Sequence, residues 1–264
     1  MQWHTEIIPE LGFPIIDAHA HPYFNRDQPG TGPVDFDSYA DELMKRGIGI
    51  FCGTCNIRND GTDPDVVRKE NAVVLEWKEH FGEHFYPGVN VHPDYPDASI
   101  AAVEEFFRRG FRWVGEIAYY VQGYSAYATP KLAKILDVVQ SLGMVLNCHP
   151  SATFEDLDKL LSDFPKLTTV VAHPGGVKGG VPAAYELGKK HPNLCFDLSG
   201  SGLCRWHMLR HGIDLLGKER FLFGTDYPVI NPGMYVQGAL YEPLTAAERQ
   251  AVFRDNFLRL TGQL

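Results

Sequence analysis

The strongest constraint in this chain is an alternation repeated along its whole length. Short apolar or β-branched runs are each followed by a loop and then an amphipathic stretch. The runs are Ile15–Ala18, Gly49–Gly53, Phe85–Asn90, Trp113–Ile117, Val145–Cys148, Thr169–Ala172, Leu194–Leu198 and Phe221–Gly224. Near-continuous apolar runs suit strands buried on both faces, as in a parallel sheet. Helical patterns separate them: Phe36–Arg46 after a cap-like Asp35, Asp65–Phe81, Ala98–Arg109, Pro130–Leu142, Phe154–Phe164, Pro182–Lys190 and Gly202–Leu216. A last pattern, Thr245–Thr261, opens with Thr245 and Glu248 at capping-box spacing. Several helices end on glycine just before the next strand, at Gly47, Gly82, Gly110, Gly143 and Gly217.

Eight β and α units in 264 residues predict one α/β domain over 1–264, a closed parallel (β/α)8 TIM barrel. A doubly wound open sheet would normally carry a glycine-rich phosphate loop after its first strand. Here that strand runs into Ala18-His19-Ala20-His21-Pro22 instead.

Charge and cysteine content narrow the function classes. A net charge of −9 makes the chain a poor candidate for binding nucleic acid or an anionic membrane surface, both of which demand a basic face. No apolar stretch of about 18 residues exists to span a bilayer. The five cysteines are odd in number and spread over a long chain, which fits a reducing compartment better than a disulfide framework. No basic segment followed by an apolar run opens the sequence, so a cytoplasmic protein acting on a small molecule is expected. A homo-oligomer remains open.

The histidines fall where a barrel enzyme keeps its chemistry. His19 and His21 are two apart on the first strand, so their side chains share a face. His149 ends the fifth strand and His173 the sixth; Glu116 lies near the end of the fourth, and Asp226 follows the eighth. His21, His149 and His173 each precede a proline, which keeps the histidine extended and stops the strand there. All lie on the C-terminal side of their strands, the face on which barrel enzymes place their sites. A single buried histidine is more often a packed core residue than a ligand. Four histidines and two carboxylates together would cost several kcal/mol each to bury without a compensating charge. A divalent cation supplies that charge, and imidazole with carboxylate suits zinc, iron, manganese or nickel.

These residues resemble the amidohydrolase superfamily, and in particular its amidohydrolase-related (family 2) branch. The resemblance rests on Asp17-Ala18-His19-Ala20-His21, Asn147-Cys148-His149, Ala172-His173-Pro174-Gly175-Gly176, Gly224-Thr225-Asp226-Tyr227-Pro228 and the closing Asp255-Asn256-Phe257-Leu258-Arg259-Leu260. It covers nearly the whole chain. It implies that His19, His21, His149 and Asp226 bind or flank the metal. It makes His173 a ligand of a second ion or a group that polarises the substrate. Many members bridge two metals with a carboxylated lysine on the fourth strand. This chain has Gly115-Glu116-Ile117 there, which resembles the TatD-like deoxyribonucleases, whose Glu bridges two metals. Glu116 is therefore a candidate bridging ligand, or else a carboxylate that orients a ligand histidine. One or two ions are expected, zinc before manganese, iron or nickel.

The activity so implied is hydrolysis of a C–N or C–O bond in a small molecule by a metal-activated water, with Asp226 moving the proton and His173 stabilising the developing oxyanion. The alternative keeps fold and metal but removes carbon dioxide, as in decarboxylases of the aminocarboxymuconate semialdehyde type. A metal carrier without catalysis has no need of a positioned base such as Asp226. A nuclease would need the basic stripe this chain lacks.

Weaker signals surround this set. Cys52-Gly53-Thr54-Cys55 has redox spacing but ends a strand instead of starting a helix, and reads as buried small residues. His92, near the third strand, is a candidate substrate contact or equally a structural histidine. Tyr119, Tyr120, Tyr124 and Tyr127 share the loop after Glu116, with Tyr119 the candidate pocket residue. Arg58 and Arg205, after the second and seventh strands, are candidate partners for a substrate carboxylate, with surface arginine the default reading for both.

Overall fold

Each apolar run becomes a strand in the computed structural model, which describes residues 10–24, 26, 30–56, 62–151, 153–202 and 205–264. They are β1 (Ile15–Ala20), β2 (Ile48–Gly53), β3 (Phe85–Pro87), β4 (Trp113–Ile117), β5 (Val145–Cys148), β6 (Thr169–Val171), β7 (Leu194–Asp197) and β8 (Phe221–Leu222). All pair in parallel with their sequence neighbours, β1 to β3 as one piece of sheet and β4 to β8 as another. Two narrow seams close the ring. At one, Val89 N donates to Trp113 O at 2.9 Å and Gly115 N to Val89 O at 2.9 Å. At the other, Ala18 N donates to Phe223 O at 2.9 Å and Asp226 N to His19 O at 2.8 Å. The expected TIM barrel is the observed fold.

The helices between strands are α1 (Phe36–Met44), α2 (Val66–Phe81), α3 (Pro96–Arg108), α4 (Pro130–Ser141), α5 (Phe154–Asp163), α6 (Gly180–Lys190) and α7 (Met208–Leu216). Helix α7 starts six residues later than the sequence pattern suggests. One further helix, α8 (Pro232–Leu240), has no counterpart in the sequence reading. The Thr245–Thr261 pattern forms α9 (Ala246–Gln250), a π turn over Ala251–Asp255 and α10 (Asn256–Leu260). Its capping box is present: Thr245 N donates to Glu248 Oε2 at 2.8 Å, and Glu248 N to Thr245 Oγ1 at 3.3 Å. β8 is shorter than its apolar run because Phe223 N turns to Val252 O in the π turn, at 2.9 Å.

The core has two parts. One cluster takes residues from every strand (Ile16 and Ala18, Cys52, Tyr86, Trp113, Val145, Val170, Cys195, Leu222), together with Phe257 and Leu258 of α10. One side chain from each strand can meet only inside a closed ring, so this layer fills the barrel and α10 plugs one end. The larger cluster joins the outer strand faces to the helices. Among the described residues no helix is long and apolar enough to cross a membrane.

Candidate metal centre

His19 lies on β1 and His21 just past its end, and their Nε2 atoms approach to 3.3 Å. The ring hydrogens decide what that contact means. His21 Nδ1 faces the carbonyl oxygen of Thr54 at 3.3 Å. A carbonyl only accepts, so Nδ1 carries the hydrogen. His19 Nδ1 faces Asp197 Oδ2 at 3.0 Å, with the same consequence. With both rings neutral, each turns a lone pair at Nε2 toward the other. Facing acceptors repel unless a positive charge lies between them.

His173 obeys the same logic. The Ser199 hydroxyl donates to Asp197 Oδ1, so its oxygen accepts from His173 Nδ1 at 3.1 Å. The lone pair of His173 Nε2 then faces Glu116 Oε1 at 3.4 Å. Three imidazoles thus aim their Nε2 atoms into one space.

Two carboxylates complete that space. Asp226 Oδ1 is 3.1 Å from His21 Nε2 and 3.8 Å from His19 Nε2, and its Oδ2 is 3.8 Å from His173 Nε2. Glu116 Oε2 is 3.7 Å from both His19 and His21 Nε2. Its Oε1 is 3.0 Å from His149 Nδ1. Donors bound at about 2.1 Å around one ion lie roughly 3 to 3.5 Å apart. Two overlapping groups satisfy the convergence such an ion needs: His19, His21 and Asp226, and His19, Glu116 and His173. His149 stands at the edge, its side chain 24% exposed, engaging Glu116 and packing on His173 with ring centroids 5.0 Å apart.

The electrostatics agree. Burial works against a charge on His19, yet Asp197, Glu116 and Asp226 outweigh it and push the ring's pKa up to about 10. Burial would raise Glu116, but His19, His149 and His173 hold it well below the usual carboxylate range. Asp197 is lowered in the same way by His19. The centre draws positive charge. A divalent cation supplies it and leaves the Nε2 lone pairs free to bind, so these residues fit such an ion.

The barrel holds the donors in place through residues that the sequence reading did not single out. Asp197, buried at the end of β7, accepts from His19 Nδ1 and Asn147 Nδ2 at 3.0 Å each, from Ser199 N at 3.1 Å, and from the Ser199 hydroxyl. One carboxylate thereby orients two imidazoles. The signal for it was an acid ending the apolar run Leu194-Cys195-Phe196. Asp17 does the corresponding work for Asp226: it accepts from Thr225 N at 3.0 Å and Thr225 Oγ1 at 2.5 Å, joining β8 to β1. Its burial lifts its pKa to about 7 against those hydrogen bonds. His173, expected to be extended before Pro174, instead has left-handed backbone, which the proline also permits, and so does Asp226, with φ of 48° and 66°. Such a conformation costs an L-residue of order 1 kcal/mol and collects at functional sites. Gly200 is required beside them, because a Cβ there would overlap the His173 ring.

A cavity of about 430 Å³ opens over the donors. Its walls include Tyr23, Asn56, Tyr120, Val121, Ser201 and Val229. Among the described residues lining it there is no lysine or arginine. The expected substrate contacts fare unevenly. His92 is fully buried away from it, with Nε2 on Gln122 O at 2.8 Å and Nδ1 accepting from Asp94 N at 3.1 Å, so neither nitrogen is free for a ligand. Tyr119 packs behind His149, with centroids 6.4 Å apart, and its neighbour Tyr120 takes the wall. Arg205 lines a separate pocket with Gly179 and Val181, which meets the first at Ser201. Arg58 lies outside the described residues. The Cys52 and Cys55 thiols are free, and burial raises both, Cys55 to about 12, the reverse of a reactive pair.

Comparison with known proteins adds to this geometry. A family model described as amidohydrolase matches residues 16–262. No curated protein matches the sequence. Among solved structures, 5-carboxyvanillate decarboxylase from Novosphingobium aromaticivorans, complexed with manganese, is 14% identical with a TM-score of 0.77, over 96% of this chain and 97% of that one. The 2,6-dihydroxybenzoate decarboxylase from Rhizobium is 16% identical with a TM-score of 0.67, over 95% and 99%. An uncharacterised TIM-barrel protein from Bordetella bronchiseptica is 19% identical with a TM-score of 0.73, again over 95% and 99%. At these identities the likeness is one of fold.

Proposed function

Because the chain belongs to the amidohydrolase family, we propose that it is a metal-dependent, non-oxidative decarboxylase of a small aromatic carboxylic acid. The observation that carries this reading is the cavity. Its volume of about 430 Å³ suits one substituted ring. Tyr23, Val121 and Val229 give it apolar walls, and no described lysine or arginine lines it. The natural counter-charge for a substrate carboxylate there is the cation itself. The decarboxylases of similar fold act on acids of this kind, which supports the choice over hydrolysis.

His19, His21 and Asp226 would hold a divalent ion, which would supply positive charge to the substrate oxygens and to the charge that develops as the C–C bond breaks. Asp226 holds the proton that the ring carbon takes up as carbon dioxide leaves. Water resupplies that proton to Asp226, whose Oδ2 lies 3.8 Å from His173 Nε2, and Ser199 keeps the His173 ring in register. Tyr23, Tyr120 and Val229 pack the ring and exclude water. Manganese-loaded protein is expected to release carbon dioxide from at least one acid in a panel of hydroxylated benzoates, followed by loss of the acid's ultraviolet band. No release from any of them, with hydrolysis of an amide, ester or lactone panel, would reverse the assignment.

Glu116 favours hydrolysis as the second reading. Its two oxygens lie between His19 and His21 on one side and His149 and His173 on the other, as a carboxylate shared by two ions would. Metal content by plasma mass spectrometry, on protein purified without chelator or histidine tag, separates the two. The decarboxylase reading expects close to one equivalent per chain. Close to two would make Glu116 a bridge and hydrolysis the better assignment, and no metal after reconstitution would remove both.

A further inference from the structure

Asn56 stands at the cavity wall, two residues past Thr54, whose carbonyl holds His21. Its amide is oriented from behind by two buried asparagines. Asn71 Nδ2 donates to Asn90 O at 3.0 Å, and Asn90 N donates to Asn71 Oδ1 at 2.8 Å. Asn90 Nδ2 donates to the carbonyl of Cys55, which can only accept, and this settles which end of the Asn90 amide faces the end of β2. The other hydrogen of that group goes to Asn56 Oδ1 at 3.0 Å. Asn56 therefore gives its oxygen to Asn90, and its Nδ2 has no partner among the described residues.

We propose that Asn56 is a specificity-determining residue, whose Nδ2 donates a hydrogen bond to an oxygen of the substrate other than the carboxylate held at the metal centre. The proposal rests on the reading of the cavity as a site for small aromatic acids. It predicts a preference for acids bearing a hydroxyl or ether oxygen over the unsubstituted ring. A donor fixed by its neighbours cannot turn away when its acceptor is missing, so the unsubstituted acid leaves it unpaired. Nothing in the sequence marks Asn56, since its partners come from α2 and the segment after β3.

The test is calorimetric titration of the manganese-loaded full chain with benzoate and 2-hydroxybenzoate. Wild-type protein is expected to bind 2-hydroxybenzoate about 10-fold more tightly or better. Asn56→Leu should bind the two probes alike with its manganese content unchanged. Asn56→Asp, nearly isosteric, loses the donor and adds a negative charge, and should bind 2-hydroxybenzoate still more weakly. Equal affinity of wild type for the probes, or a preference retained in Asn56→Leu, overturns the proposal alone. Wild-type protein that holds manganese but binds neither probe overturns the aromatic-acid reading and this proposal with it.

Discussion

Asp226→Asn is expected to lower turnover by about 10³-fold while leaving the barrel folded. The substitution keeps shape and backbone. Asparagine, like aspartate, tolerates the left-handed conformation at φ 66°. The Asp226 N–H would still reach His19 O at 2.8 Å, and its carbonyl would still accept from Val229 N at 2.8 Å. What disappears is the charge beside His21 Nε2 and the atom that gives up and regains a proton. Turnover on whichever acid the panel identifies, together with a circular dichroism melt, reads both halves of the expectation. A variant that melts like wild type and keeps more than a tenth of its turnover would remove Asp226 from the chemistry.

Asp197→Ala is expected to destabilise the fold by about 3–5 kcal/mol and to weaken metal binding by about 10- to 100-fold. The two effects share one cause. Asp197 is fully buried and receives hydrogen bonds from His19, Asn147 and Ser199. Without it those donors stay buried and unsatisfied, and each such group carries the desolvation cost its partner had offset. His19 also loses the acceptor that keeps its hydrogen on Nδ1, so its Nε2 is no longer committed to the ion. Urea denaturation of the metal-free protein gives the first number, and competition with a chelator gives the second. A loss of stability below about 1 kcal/mol would mean that water replaces the carboxylate with little cost, and Asp197 would not be the organising residue described above.

The strands and the metal centre were legible in the sequence because both are written locally. An apolar run stopped by a histidine and a proline announces a strand and the end at which it stops, as at His149-Pro150 and His173-Pro174. The carboxylate that organises the centre was not legible, because its meaning is remote: Asp197 meets His19 across 178 positions of chain. Helix α8 escaped for another reason. Pro232–Leu240 opens Pro-Gly and is apolar on several faces, burying Tyr235 and Val236 while Met234 remains exposed, so no clean polar stripe marks it. His92 looked like a mouth residue because it follows the third apolar run. Its loop folds so that Gln122 O and Asp94 N take both its ring nitrogens. Tyr119 and Tyr120 show how little sequence says within a turn: adjacent side chains point apart, and only packing on His149 decides which one faces the cavity.

The two seams of the barrel would give a bound metal a mechanical part to play. His19 and His21 belong to the sheet piece β1–β3, while Glu116, His173 and Asp226 stand on or just beyond strands of the piece β4–β8. An ion bound among them would be a rivet through both plates, set next to the β8–β1 seam where only a few backbone bonds join them. Parting that seam would separate the donors, and withdrawing the rivet would leave the seam to hold alone. Loss of a bound ion and breathing of the barrel wall would then be a single event viewed from two sides.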